Sequence, residues 1–170
     1  MRERRWSQAR PEPGDVIEGN GVRVRALEAG GATLISGDVA AGVAKLAPGS
    51  PVLGLLGELP STATACLRIA RDRGLLLSPA PLETDDGWNG AFATSAADDV
   101  YVELEIRGPK SGGLREACMA EPPTPSPSAA IQFAGHTCLV VREDRGLRVL
   151  VPRSEATGLW AMLDRTVRSL

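Results

Sequence analysis

Aromatic side chains are scarce in this chain, making up 4% of its 170 residues, so its core has to be assembled from Leu, Val, Ile and Ala. Histidine occurs once, at His136. That excludes a histidine-rich metal site and leaves a Ser-His-Asp system only formally open. Lysine is nearly missing: of 19 basic residues, only Lys45 and Lys110 are not arginine. The formal net charge of −2 gives no general electrostatic grip on DNA or RNA. Cys66, Cys118 and Cys138 are the three cysteines, and none stands in a C-x-x-C pair. An odd count without a secretory segment predicts reduced thiols. The basic stretch from Met1 to Trp6 leads into no apolar core of a signal peptide, and no apolar run reaches membrane-span length. The expectation is a soluble, cytoplasmic protein with neither a membrane nor a nucleic-acid partner. Neither G-x-G-x-x-G nor G-x-x-x-x-G-K-[ST] occurs, which argues against the usual dinucleotide and nucleotide-phosphate cradles.

What is present is ordinary globular material, 43% apolar and 24% charged. Residues 1–20, punctuated by Pro11, Pro13, Gly14 and Gly19, read as a flexible N-terminal tail. A single domain over 21–170 follows, with two lobes, 21–97 and 98–170, as a further option. Val22 to Leu27 alternates as a strand, and Ala32 to Ile35 is a second one. Asp38 caps a helix carrying Val39, Val43 and Leu46, which Pro48-Gly49 ends. Residues 51–61 read as a loop, 62–69 as a strand, and 75–78 as its antiparallel return. Residues 79–90 form a surface connection. Val100 to Arg107 is the clearest strand. Val102, Leu104 and Ile106 face one way, and Glu103, Glu105 and Arg107 face the other, wet side. A helix from Pro109 to about Met119 is weakened by Gly112-Gly113. The proline-rich 121–128 is a surface connection, three strands follow to 151, and a helix carrying Leu159, Trp160, Leu163 and Val167 closes the chain. This is an α+β pattern with mostly antiparallel sheets and covering helices.

Few residues carry chemistry. Gly135-His136 falls between strands, where a solvated turn histidine is the expectation. Cys138 and Cys66 fall in strands as core thiols. Glu83, Asp85 and Asp86, and likewise Asp98 and Asp99, read as turn-forming solvated acids, with acid–base work the sharper alternative. Gly87-Trp88-Asn89-Gly90 either packs Trp88 over the sheet or presents it to a partner. Trp6, Trp88 and Trp160 are the candidate partner-interface residues, tryptophan being favoured at interface hot spots. No convergent acid, base and nucleophile set is legible, so no catalytic, cofactor-binding or metal-ligating residue is assigned.

Four segments nonetheless resemble a known family. Asp98-Asp-Val-Tyr-Val-Glu-Leu-Glu-Ile-Arg-Gly-Pro109 resembles the strand-then-Gly-Pro-helix segment of the gamma subunit of heterotetrameric sarcosine oxidase. The same segment is similar to one in the folate-dependent aminomethyltransferase superfamily, which includes the glycine-cleavage T protein. Pro127 to His136, Val149 to Ser154 with Leu159-Trp160, and Leu75 to Pro79 resemble further gamma-subunit stretches. The likeness spans roughly residues 20–170, and the chain departs from it in its short first half and at Gly112-Gly113. The resemblance implies a folate-binding aminomethyltransferase-like fold kept as scaffold. It implies a non-catalytic subunit of a heterotetramer that oxidatively demethylates sarcosine or a related N-methyl amine. FAD, FMN, NAD and tetrahydrofolate would then lie in alpha, beta and delta-like partner subunits, and this chain would pack on the large alpha subunit. The alternative is a stand-alone tetrahydrofolate-binding or methyl-transfer protein, with Asp98, Asp99 or Glu103 holding the pterin. A third reading is an unrelated small binding module that uses the basic tail or the proline-rich segment.

Overall fold

The computed structural model of the chain describes residues 9–61, 64–120 and 125–170. Strands β1 (Val16–Gly19) and β2 (Val22–Ala26) form a hairpin through Asn20-Gly21, both at positive φ, as a tight two-residue turn requires. β3 (Gly31–Gly37) leads into α1 (Val39–Leu46), whose first turn is capped by the Asp38 carboxylate accepting from Ala41 N at 3.0 Å. Then come β4 (Val52–Leu53), β5 (Ala65–Ala70), β6 (Arg73–Ser78), β7 (Gly87–Trp88) and β8 (Phe92–Ala96). The chain continues through β9 (Tyr101–Arg107), α2 (Ser111–Cys118), β10 (Ala130–Phe133), β11 (His136–Glu143), β12 (Gly146–Pro152) and α3 (Ala156–Ser169).

The strands form two six-stranded sheets, ordered β1-β2-β9-β12-β11-β10 and β4-β5-β6-β3-β8-β7. Every pairing is antiparallel except β4 with β5. Period-two alternation decides what each face meets. Val24, Leu104, Ile106, Val149 and Val140 pack under Leu114 of α2 and Leu159, Leu163 and Val167 of α3. On the opposite face, Leu139, Val141 and Leu150 meet Leu67, Leu75 and Leu77 of the second sheet. The far face of that second sheet carries Ile35, Cys66, Leu76 and Phe92, covered by Val39 and Val43 of α1. The layers therefore run helices, sheet, sheet, helix, and the α+β class with mostly antiparallel sheets holds. Among the described residues no helix is long and apolar enough to cross a membrane.

Several local expectations are corrected. Residues 16–19, read as part of the tail, are strand β1; Ile17 is buried, and Gly14 N donates to Ala26 O at 2.9 Å. Their sequence hides this because Ile17 is the one residue of β1 that is buried. The apolar stretch at 51–61, read as loop, contributes the two-residue strand β4. The connection at 79–90 contributes the edge strand β7, and just beyond it β8, for which no element was expected, lies next to that edge with Phe92 and Thr94 as its inward positions. The end of the proline-rich segment is tied to the fold: Ser126 O accepts from Leu55 N, and Ser128 Oγ donates to Ile69 O at 2.7 Å. That approach needs glycine at 54, where a Cβ would lie 2.2 Å from Ser126 O. Residues 121–124 lie outside the described residues.

Candidate functional site

Charge gathers on the inner face of the first sheet, at its open mouth. The alternation of β9 places Glu103 opposite Leu150, looking toward the second sheet, so the expected wet side is covered there and Glu103 is 8% exposed. β12 brings Arg148 to the same face, and the β11–β12 hairpin brings Glu143. Arg148 Nη1 donates to Glu103 Oε2 at 2.6 Å. Its Nε and Nη2 grip both oxygens of Glu143 at 2.9 and 2.5 Å. Burial works against the Arg148 cation, but the hydrogen bonds and charges of Glu143 and Glu103 outweigh it and hold the guanidinium above its ordinary range. A bidentate fork to one carboxylate and a single bond to another meets the condition under which a buried ion cluster is tolerable, that every charge has a partner. No buried side-chain nitrogen or oxygen among the described residues lacks one.

Arg148 and Glu103 form one wall of a cleft of about 190 Å³, shared with Glu28, Leu59, Leu77 and Ser78. Glu103 also borders a second cleft of about 60 Å³ beside Tyr101 and Arg153. Burial raises the Tyr101 phenol, with Arg73 partly opposing it. Both clefts fall below the roughly 300 Å³ at which small-molecule sites begin. Neither contains Asp98 or Asp99. Asp98 is spent on the backbone, accepting from Ala32 N at 2.6 Å, and Asp99 is exposed. Of the three acids named as alternatives for holding a pterin, only Glu103 is buried, and its carboxylate is bonded to Arg148.

His136 is not a solvated turn residue. It opens β11, and its ring lies against α3, where Nδ1 is 3.0 Å from Glu155 Oε2. The ring occupies the space a side chain at Gly158 would need, since a Cβ there would sit 2.9 Å from Cε1. A histidine oriented by a carboxylate is half of a catalytic relay, but among the described residues no hydroxyl or thiol bonds to it. All three thiols are free and buried. Burial pushes Cys66 and Cys118 up to about 11. Burial, then the charges of Glu155 and Cys118, pushes Cys138 up to about 12. Such thiols stay protonated near neutrality and are poor nucleophiles. No group of three or more His, Cys, Asp or Glu among the described residues is arranged to hold a metal.

The tryptophans separate. Trp160 is half-buried and packs on the helix-covered core. Trp88 does not pack over the sheet, as the simpler expectation had it, but is 74% exposed on the edge strand β7. Trp6 lies outside the described residues. The sequence reading missed the Glu103–Arg148–Glu143 cluster altogether. Its only sequence signal is an arginine inside the apolar alternation of β12, between Leu147 and Val149.

The fold and this surface define a class: a double-sheet α+β protein with small clefts, paired charges and one exposed aromatic edge. No family model and no curated protein matches the chain. Among solved structures it is similar to a chain of the heterotetrameric sarcosine oxidase from Corynebacterium sp. U-96, determined in complex with pyrrole 2-carboxylate. The TM-score is 0.65 at 19% sequence identity, and the match covers 89% of this chain and 87% of that chain. At that identity the likeness establishes a shared fold.

Proposed function

We propose that this chain is a non-catalytic, gamma-type subunit of a heterotetrameric amine-oxidising flavoenzyme, packing on a large alpha subunit. The observation that carries the reading is the reciprocal extent of the structural match, 89% of this chain against 87% of the other. The two chains agree over most of their lengths, which supports a counterpart of that chain. In this reading FAD, FMN, NAD and tetrahydrofolate belong to the partner subunits, the substrate is sarcosine or a related N-methyl amine, and the aminomethyltransferase-like fold serves as scaffold.

Co-expression with candidate alpha, beta and delta-type subunits tests it. The expected result is co-elution of this chain with the flavin-bearing subunits and a higher yield than when it is made alone. A chain that purifies alone as a stable monomer, with no gain from those partners, overturns the reading. Titration with tetrahydrofolate separates the alternative: binding by the chain alone tighter than about millimolar, some −4 kcal/mol, would favour a folate protein instead.

A further inference from the structure

Between Arg73 and Arg107 the sequence contains no lysine or arginine, yet it carries Glu83, Asp85, Asp86, Asp98, Asp99, Glu103 and Glu105. Three of these acids fall in the segment that leads into β7. That segment is fastened down: Thr94 Oγ1 donates to Asp85 O at 2.9 Å, and Ala96 N donates to Asp86 Oδ1 at 3.2 Å. On the far side of β7, Asn89 N donates to Phe92 O at 2.7 Å and closes the turn. Lys45, which stands over Phe92 and reaches Asn89 Oδ1 at 3.3 Å, shares a cleft of about 160 Å³ with Glu83 and Asp85. β7 is the last strand of its sheet, and among the described residues it pairs only with β8, which leaves its outer backbone edge unpaired there. From this edge stands Trp88, 74% exposed, while the other large apolar side chains that reach the surface range from 36% to 45%.

An open strand edge supplies main-chain hydrogen bonds to an extended segment laid beside it. An exposed indole supplies a face for a guanidinium, and the three acids of the same segment supply the opposite charge, offset in part by Lys45. β7 carries no lysine or proline to blunt its edge, although at two residues it offers only a short one. We infer that the β7 edge, with Trp88 as anchor and Glu83, Asp85 and Asp86 beside it, is a docking site for an extended, arginine-bearing segment of a partner protein. Charge complementarity selects that occupant over an acidic peptide. The inference rests on the subunit reading only in supposing a protein partner.

The test uses the full chain and a short fluorescein-labelled peptide of alternating arginine and valine, with the same peptide carrying glutamate in place of arginine as control. Fluorescence anisotropy is expected to show binding of the arginine peptide that weakens with added salt, and none of the glutamate peptide. Trp88→Ala, and separately Glu83→Gln with Asp85→Asn and Asp86→Asn, should each weaken binding about tenfold or more. Because Trp88 is largely in solvent, circular dichroism of Trp88→Ala should match the parent. Equal binding by Trp88→Ala, or no binding by the parent, overturns the proposal. So does a parent that sediments as a dimer while Trp88→Ala is a monomer, which would make the occupant a second copy. The two readings fail separately. Co-elution with flavin subunits by a chain that binds no arginine peptide sinks the docking edge alone, whereas Trp88-dependent peptide binding without any complex sinks the subunit reading alone.

Discussion

Arg148 stands between two carboxylates at the mouth of the sandwich, with side-chain exposures of 14% for itself and 10% for Glu103. Arg148→Met should leave Glu103 and Glu143 without their partner and cost about 3 kcal/mol in urea unfolding, the low end for a broken buried pair because some water still reaches it. Adding Glu103→Met should recover only part of that loss, Glu143 remaining unpaired. The thiols set a different test. Each has its ionisation raised from the ordinary 9.0, to about 11 for Cys66 and Cys118 and about 12 for Cys138. The folded chain thus holds protons that the unfolded chain releases above pH 9. The stabilisation is complete below that pH and is lost as pH rises through 11–12. Each pH unit over which a thiol stays protonated only when folded is worth ~1.4 kcal/mol. Urea midpoints should therefore fall from pH 9 to 11, and replacing all three cysteines by alanine should flatten that fall. That these cysteines are core residues was legible from their strand positions. The role of Glu103 was not, because alternation reveals two faces without revealing that a second sheet covers part of the polar one.

Helix ends and strand patterns were the most readable elements. Asp38 announces α1, and Asp38→Ala should cost about 1 kcal/mol of stability by orphaning the Ala41 amide. In α3 the sequence places a glycine where alanine would gain about 1 kcal/mol of helix propensity. The reason is the His136 ring lying over Gly158. Gly158→Ala should therefore stabilise only after His136→Ala has cleared the space, and in the parent it should be neutral or harmful. Thermal unfolding of the two single variants and the double variant measures that coupling. β9 was plain because three bulky apolar residues alternate with charges. β8 was hidden because its buried pair is Phe92 and Thr94, and a threonine at an inward position erases the apolar period. β7, two residues long, leaves no pattern at all.

At the scale of the molecule, the two sheets share one core: Leu139, Val141 and Leu150 interlock with Leu67, Leu75 and Leu77. Neither sheet can open without exposing the other, so calorimetric and van't Hoff unfolding enthalpies should agree. Two resolved transitions would contradict a common core. The alternation of elements made the α+β class legible, but the distribution of strands between sheets was not. β1 and β2 join a sheet whose other members begin at Tyr101. Arg23 sits opposite Arg107, and Asn20 Nδ2 donates to Val167 O at 2.9 Å under the last helix. During synthesis the β1–β2 hairpin therefore keeps a bare flank until β9 has been made. The closing turns of α3 then cover that hairpin, which makes the assembly of this sheet a late and slow event.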